Sequence, residues 1–416
     1  MERKSTTNLG SVIEINPASI SKHYPYDEIE YIDISSVGTG FSSGSTRMSL
    51  AEAPSRAKRL VEHGDTILAT VRPNLRSFLY INNPREDVVV STGFAVLHPS
   101  SKIDTRFLYY TVTNQRFTDY LSANVKGAAY PAVDAEAFAR AEIWLPDLQV
   151  QQTIVAILST YDDLIENNLR RIKILEEMAQ ALYREWFVTF RFPGYQRVKM
   201  VNSPLGKIPE GWEVRQIGEV IQTLGGGTPS TKEPSYWEGG NIDWYTPSDL
   251  TASGSMFING SSKRITQLGL DRSSAKLFPA YSLMMTSRAT IGVIAINTEK
   301  ACSNQGFITC IPHDRLSVFH LYFWTNENRE KIIGVASGAT FKEISRGEFR
   351  EFPIAVPPPP IENIFVETVE PMCRLIENLI KRNQNLRQTR DFLLPKLISG
   401  ELDVSQLDIT TPEANA

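Results

Sequence analysis

Two stretches of the chain carry apolar residues in alternating steps of four and three. The first stretch has the seam positions Ile154, Leu158, Tyr161, Ile165, Asn168, Ile172, Leu175, Ala179, Leu182 and Trp186. Charged residues fill many of the positions between them. This spacing is the heptad pattern of a coiled coil, so it predicts a long helix that pairs with another helix along one seam.

A second stretch repeats this seam 211 positions later. Its members are Phe365, Val369, Met372, Ile376, Leu379, Asn383, Leu386, Arg390, Leu393 and Leu397, of which only Arg390 is charged. Prolines precede both stretches, at Pro146 and at Pro357 to Pro360, where a fixed backbone angle suits the entry to a helix. Two helices with matching seams are expected to pair with each other.

The segment ahead of each helix has a different pattern. Short β-rich runs, such as 65–71 and 88–97, are separated by Gly, Pro, Asn and Ser. Helices are expected at 105–121 and 316–333. The fold class is therefore α+β, with two α/β domains that are each followed by a long helix.

Matches outside the helices indicate an internal duplication. Leu164–Asn167 recurs as Leu375–Asn378, and Gly127–Tyr130 corresponds to Gly338–Phe341, both at an offset of 211 positions. Upstream matches are Gly93-Phe94 with Gly306-Phe307, and Thr70-Val71-Arg72 with Thr286-Ser287-Arg288. The alternative is that short apolar segments resemble each other by chance. Because the matches occur in the same order and at nearly constant spacing, they favour a real duplication.

The duplication and the punctuation residues give the expected organisation. Prolines and glycines between the units, such as Pro204, Gly206 and Pro209, predict a linker. The predicted segments are a first domain at 1–146, a first coiled-coil helix at 147–190, a linker at 191–212, a second domain at 213–357, a second coiled-coil helix at 358–402 and a tail at 403–416.

A pseudo-twofold relation between the repeats would set the two helices antiparallel. The seam positions at the centre of this prediction are Ile165, Asn168, Ile172, Leu175, Ile376, Leu379, Asn383 and Leu386. A contact between Asn168 and Asn383 would place the axis near position 170, and a buried Asn pair would fix the register at some cost in stability. The alternative, that both asparagines lie at the margin of the seam and contact water, stays open.

Composition limits the class of protein. The 416 residues are 42% hydrophobic and 22% charged, which is typical of a soluble globular protein of two or three domains. The N-terminal residues carry no apolar run behind their charges, so we expect a cytoplasmic protein without a membrane segment. Three cysteines without paired spacing are expected to be reduced thiols. The net charge of -4 disfavours a protein that binds nucleic acid without partners.

The sequence offers no constellation for catalysis. Gly206-Lys207 lacks the first glycine and the Ser or Thr of a phosphate-binding loop. The five histidines have no metal-ligand spacing, so no metal site is expected. No Asn-Pro-Pro-aromatic tetrapeptide of the adenine methyltransferase type occurs. We therefore predict a protein that is not itself an enzyme.

Several motifs resemble the specificity subunit of type I restriction-modification systems, and the resemblance spans nearly the whole chain. The motifs are 204–212 (PLGKIPEGW), 226–230 (GGTPS) ahead of Tyr236-Trp237, 145–152 (LPDLQVQQ) and 394–402 (LPKLISGEL). Each is weak alone, but together they are specific. The first unit departs from the pattern, because it starts at Asn8-Leu9-Gly10 without the Pro-Gly-Trp entry.

The resemblance implies a non-catalytic subunit with two target-recognition domains, each of which recognises one half of a bipartite site in double-stranded DNA. The helices would set the spacer and dock two methyltransferase subunits, and restriction subunits can join that assembly. S-adenosylmethionine, and ATP with Mg, would then be bound by the partners, and this chain would hold no cofactor. The alternative from another class is a coiled-coil scaffold that does not recognise DNA.

Base recognition requires Arg, Lys, Asn or Gln on loops at strand ends, while hydroxyl and aromatic side chains more often contact phosphate and sugar. The candidates in the first domain are Arg72, Asn74, Arg76, Lys126 and Tyr130. The candidates in the second domain are Lys232, Arg288, Asn304, Gln305, Phe341 and Lys342. Because Arg72 and Arg288 align as repeats, phosphate contacts or structural ion pairs suit them better than base contacts. Tyr130 and Phe341 are alternatively core residues.

Overall fold

A computed structural model describes residues 6–126, 132–288, 290–338, 342–407 and 409 of the chain. The chain divides into two compact units. The first unit comprises Met1–Ile165 and Asn385–Ala416, and the second comprises Glu166–Gln384. The first unit is therefore built from both ends of the chain, and the second is continuous.

The described residues of the first unit combine short strands with short helices. The strands are β1 (Thr6–Asn8), β2 (Ile13–Ile15), β3 (Glu28–Ile32), β4 (Thr46–Ser49), β5 (Ala57–Leu60), β6 (Thr66–Ala69), β7 (Phe78–Tyr80), β8 (Val88–Ser91), β9 (Phe94–Pro99) and β10 (Glu142–Trp144). The helices are α1 (Thr105–Thr113), α2 (Gln115–Ala123), α3 (Ala135–Arg140) and the start of α4 (Leu148–Tyr183). Sheets form in the orders β2-β9-β6-β7 and β4-β3-β8-β5, and β1 pairs with β10.

The described residues of the second unit follow a similar plan. Its strands are β11 (Met200–Ser203), β12 (Gly206–Pro209), β13 (Glu213–Gln216), β14 (Ile221–Gly225), β15 (Ile242–Tyr245), β16 (Phe257–Ile258), β17 (Lys263–Ile265), β18 (Leu283–Thr286), β19 (Ile294–Asn297), β20 (Ala301–Ser303), β21 (Phe307–Pro312) and β22 (Pro353–Val356). Its helices are α5 (Ile217–Val220), α6 (Pro247–Ser253), α7 (Gln267–Asp271), α8 (Val318–Glu327), α9 (Arg329–Gly334), α10 (Arg346–Arg350) and the first part of α11 (Pro359–Ile398). The sheets have the orders β14-β21-β18-β19-β16 and β17-β15-β20, with pairs β11-β12 and β13-β22.

Three predicted elements are divided in the structure. The run 88–97 forms two strands, β8 and β9, which belong to different sheets and are separated by Thr92 and Gly93. The predicted helix 105–121 forms α1 and α2, because the side chain of Asn114 accepts the Phe117 N–H and starts a new helix. The region 316–333 is likewise divided into α8 and α9.

The segment 191–212, predicted as a linker, is folded into the second unit. It contains the β11-β12 hairpin, and Phe192, Ile208 and Trp212 are buried in the main apolar core of that unit. Phe192 and Trp212 also form a ring contact, with centroids 5.5 Å apart. Its prolines and glycines therefore belong to a packed structure, in which Gly206 and Pro209 are the two ends of β12.

The two predicted long helices are present as α4 and α11, and a π-helical turn at Arg184–Val188 extends the first. All the predicted seam positions are buried or half-buried, because the heptad spacing places them on one face of each helix. In the first unit, Ile154, Leu158 and Leu397 share one apolar core. In the second, Ile172, Leu175, Ile376 and Leu379 belong to another. None of the described helices is both long enough and apolar enough to cross a bilayer.

Polar residues on the seam are paired. In the second unit, Asn168 Nδ2 donates to Asn383 Oδ1 at 2.8 Å, and the two side chains are buried. In the first unit, Arg390, the charged interruption of the seam, binds Asp162 at 2.5 Å. Asp162 also accepts a hydrogen bond of 2.6 Å from the Tyr110 hydroxyl. The seam therefore accommodates its polar positions by giving each of these side chains a specific partner.

Candidate nucleic-acid interface

The Gly-rich loop of the second unit packs against the turn that precedes β21. A Cβ on Gly226 would lie 1.9 Å from the carbonyl oxygen of Asn304, so only glycine fits there. Thr228 Oγ1 donates to Gln305 Oε1 at 2.7 Å, and Trp244 Nε1 donates to the Gly227 carbonyl at 2.8 Å. These contacts place the predicted residues Asn304 and Gln305 directly beside the Gly-rich loop.

The predicted Arg288 and Lys342 lie on two other segments close to the same turn. Ser287 N donates to the Gly306 carbonyl at 2.8 Å, and this bond brings the end of β18 next to the turn. Arg288 Nε lies 2.7 Å from Glu343 Oε1 in a half-exposed ion pair. Lys342, beside Glu343 in the chain, is exposed. Four residues of the second domain that are predicted to contact DNA therefore lie in one region. The charge of one of them, Arg288, is partly neutralised by Glu343.

Further basic side chains of the second unit were missed by the sequence analysis. A pocket of about 400 Å³ is lined by Thr231, Trp237, Lys263 and Arg264, next to the predicted Lys232. Arg264 Nε is bound to Asp243 at 2.9 Å, whereas the side chain of Lys263 is exposed. The sequence-based candidates lie after repeated strands, beside repeated glycines or in the Gly-rich loop. Lys263 and Arg264 lie in none of these places, so no local signal in the sequence identified them.

Arg346 is also absent from the sequence-based set. A Cβ on Gly225 would lie 3.3 Å from Arg346 Nε, so this guanidinium lies against the Gly-rich loop. Its repeat counterpart, 211 positions earlier, is Ala135. A search for repeated charges could not have identified it.

In the first unit, the predicted residues of one loop have different environments. The 3-10 turn Pro73–Leu75 is flanked by Arg72 and Arg76, both in the left-handed region with φ of 51° and 56°. Arg72 and Asn74 are exposed. The half-buried Arg76 donates to Gln115 Oε1 at 2.9 Å and to the Thr113 carbonyl at 2.8 Å. Arg76 therefore holds the loop against α1 and α2, and Arg72 and Asn74 face solvent.

Lys126 is the remaining described candidate of the first unit. Its ammonium lies 2.5 Å from Asp134 Oδ2 on the surface. The hydrogen bond and charge of Asp134 raise the pKa of Lys126 above its ordinary value. Tyr130 and Phe341, the aromatic candidates, lie outside the described residues.

The backbone corrects the predicted repeat alignment at Arg72 and Arg288. Ala69 pairs with Phe94 on β9, and Thr286 pairs with Phe307 on β21, so Ala69 and Thr286 are equivalent. Val71 forms an antiparallel β-bridge with Ala132, and Arg288 forms the equivalent bridge with Glu343 in the second unit. Arg288 therefore corresponds to Val71, and the predicted pairing with Arg72 is wrong by one position. A shift of one residue at a strand end reverses the direction of the side chain.

The fold and the loops define a duplicated recognition domain in which each copy is followed by a long helix. The chain belongs to the family of the type I restriction modification DNA specificity domain, whose model matches residues 1–177 and 209–388. The match to two segments confirms the resemblance and the duplication.

Individual relatives agree with this assignment. The specificity subunit of the HindI type I restriction enzyme from Haemophilus influenzae is 24% identical over 413 residues, covering 84% of this chain and 89% of the relative. The MjaIX specificity subunit from Methanocaldococcus jannaschii is 27% identical over 351 residues, covering 82% and 78%. The crystal structure of a type I restriction-modification S subunit from M. genitalium superposes with a TM-score of 0.58 at 14% identity, covering 98% of this chain and 97% of that one. The last comparison supports the fold alone.

Proposed function

We propose that this protein is the DNA sequence-specificity subunit of a type I restriction-modification system. It recognises a bipartite target in double-stranded DNA and directs methyltransferase and restriction subunits to that target. The observation that carries this proposal is the duplicated specificity domain, matched at 1–177 and 209–388. Two copies with different loop residues suit two half-sites of different sequence, because base recognition depends on the side chains that the loops present.

The two long helices act as the spacer in this proposal, paired as an antiparallel coiled coil with pseudo-twofold symmetry. Contacts inside each unit support the direction. In the second unit Asn168 bonds to Asn383, and Tyr183, further along α4, packs against Phe365, which is earlier in α11. In the first unit Asp162 bonds to Arg390. Residue numbers rise along one helix as they fall along the other.

Catalysis is assigned to partners. Two methyltransferase subunits would bind S-adenosylmethionine, and restriction subunits would bind ATP with Mg. This chain would act on DNA together with them, in the cytoplasm. Binding to DNA phosphates requires clustered basic residues. Because this chain has a net charge of -4, we expect the partner subunits to supply part of the basic surface that binds the DNA.

The test is to purify the chain together with the methyltransferase subunit of its restriction-modification system and to map methylated adenines on plasmid DNA. We expect modified adenines in one two-part motif with a fixed gap. A stable complex that methylates no defined motif would contradict the proposal and favour the scaffold. A matched preparation without this chain should show no motif-specific methylation.

Arg72 and Lys342 are expected to contact phosphates. Both side chains are exposed, and in the described part of the chain no carboxylate forms an ion pair with either. Arg72→Ala and Lys342→Ala should each weaken binding of the complex to cognate and scrambled duplexes alike, by roughly fivefold. Each should also reduce the slope of log affinity against log salt concentration by about one. Fluorescence anisotropy against salt concentration measures both quantities. Arg215→Ala, which removes an arginine paired with Glu213, is the control. Unchanged affinity in both variants would remove these residues from the interface.

A further inference from the structure

Two loops of the first unit are joined edge to edge. The first loop, residues 37–46, has the sequence VGTGFSSGST, and the second is the loop Arg72–Arg76. Thr39 Oγ1 donates to the Arg76 carbonyl at 3.1 Å. Gly40 N donates to the Phe78 carbonyl at 3.0 Å, and Phe78 N donates to the Gly38 carbonyl at the same distance. These bonds make the two loops one continuous surface.

Each loop exposes one large apolar side chain. Phe41 is 61% exposed and Leu75 is 62% exposed, and among the described large hydrophobic residues only Phe392 is exposed to the same degree. A single exposed apolar residue is ordinary on a protein surface. Two on adjoining loops, next to the exposed Arg72 and Asn74, indicate a contact with a partner.

The loops hold these side chains in fixed positions. A Cβ on Gly38 would lie 2.4 Å from the Phe41 ring, so the ring rests on the backbone of Gly38. Gly38 N also donates to the Phe41 carbonyl at 2.9 Å. The second loop has left-handed backbone at Arg72 and Arg76, and the bonds of the Arg76 guanidinium to α1 and α2 maintain it. Strained backbone that the surroundings enforce is typical of binding sites.

The chemistry of this surface fits the major-groove edge of an A·T pair. That edge presents the thymine 5-methyl group, which apolar side chains contact. The exposed guanidinium of Arg72 supplies donors for a neighbouring phosphate. Two exposed apolar side chains next to the exposed Arg72 and Asn74 suit the base edges and phosphates of DNA better than a protein partner.

We propose that Phe41 and Leu75 are specificity-determining residues of the first domain and contact thymine 5-methyl groups in its half-site. The inference rests on the proposed function and adds to it the base feature that this domain recognises. A half-site that contains a methylated adenine contains a thymine opposite it, so a methyl group is available in the groove.

The test uses the complex with the methyltransferase subunit and duplexes in which deoxyuridine replaces thymine, one position at a time, across both mapped half-sites. Loss of the methyl group at one or two positions of one half-site should weaken binding roughly fourfold. Phe41→Ala or Leu75→Ala should abolish that difference between thymine and uracil at its position. Sensitivity to deoxyuridine in the other half-site should be unchanged.

A positioning variant and a control complete the design. Gly38→Ala displaces the Phe41 ring without removing it, and should reduce discrimination at the position that Phe41→Ala affects. Leu205→Ala removes an exposed leucine, 43% accessible, from the hairpin turn of the second unit and should change neither half-site. Because Phe41 and Leu75 are exposed, we expect their variants to retain the parent's thermal unfolding midpoint.

The outcomes separate the inference from the proposed function. A complex that methylates a defined two-part motif but is insensitive to deoxyuridine overturns the inference and leaves the function intact. Equal sensitivity in the parent and in both alanine variants also overturns it. Reduced DNA bending in the variants, with unchanged discrimination of thymine from uracil, would overturn it in favour of insertion into the minor groove. A complex with no motif-specific methylation removes the function itself.

Discussion

Replacing Glu362 by Gln is expected to destabilise the second unit by about 3 kcal/mol, because the change breaks a buried acceptor that serves two donors. The Glu362 carboxylate lies 2.7 Å from His320 Nδ1 and accepts the Ser317 N–H at 2.9 Å. His320 is fully buried among the rings of Tyr183, Phe187 and Phe365. A glutamine keeps one oxygen for the Ser317 N–H but presents an uncharged amide to His320, so the charged acceptor of the His320 Nδ1 hydrogen bond is lost. Urea unfolding measures the loss.

The first unit supplies a compensating second change. Gln151, 211 positions before Glu362, accepts the Asp104 N–H at 2.8 Å and donates to the carbonyls of Pro146 and Lys102. Phe107 occupies the third position of α1, as His320 does in α8. The double variant His320→Phe/Glu362→Gln reproduces that arrangement and should recover most of the lost stability. Equal destabilisation in the single and double variants would contradict this explanation.

The pH dependence gives an independent check on Glu362. Burial by itself raises the pKa of Glu362, but the interaction with His320 and the hydrogen bond from Ser317 outweigh burial and hold this pKa below the ordinary value of 4.5. A lowered carboxylate pKa stabilises the fold above the unfolded-state pKa, and this contribution is lost as the pH falls through the folded-state value. The difference between parent and Glu362→Gln should therefore be complete at pH 7 and become smaller below about pH 4.5.

Asn168→Leu is expected to cost about 2 kcal/mol, because it removes the side-chain N–H that the buried Oδ1 of Asn383 accepts. Asn383→Leu should cost a similar amount, because it removes that acceptor. The double Leu variant should recover part of the loss, with a coupling energy of about 1 kcal/mol or more in a double-mutant cycle. Ile172→Leu, a volume-conserving change at an apolar seam position, is the control and should cost less than either. Additive losses from the two asparagines would show that their hydrogen bond contributes nothing.

The helices could be predicted from sequence because their signal is local and repeated. A heptad seam specifies which face of a helix is buried, whatever it packs against, and the structure buries or half-buries every predicted seam position. The contact of Asn168 with Asn383 was one of two alternatives that the sequence left open, and the structure contains it.

The loops could be predicted only in part. Arg76 has the sequence context of an exposed loop residue, but its guanidinium reaches Thr113 and Gln115, almost 40 positions away, and this contact exists only in the fold. Lys126 is likewise paired with Asp134, which the antiparallel bridge between Lys126 and Ala132 brings close, and this bridge exists only in the fold. The positions of Phe41 and Leu75 were missed because exposure of an apolar residue is a property of tertiary structure, which neither periodicity nor repeats encode.

The discontinuity of the first unit affects how the chain is synthesised. Leu397, Ile398 and Val404, close to the C-terminus, belong to the apolar core that also contains Leu9 and Phe107. The ribosome makes these residues after the whole of the second unit, so this core cannot be completed before the second unit has been synthesised. The second unit, whose residues are contiguous, can be completed earlier. We therefore expect the half of the molecule that is translated first to finish folding last, and a chain truncated before Leu393 to leave the first recognition domain incomplete even though its own sequence is intact.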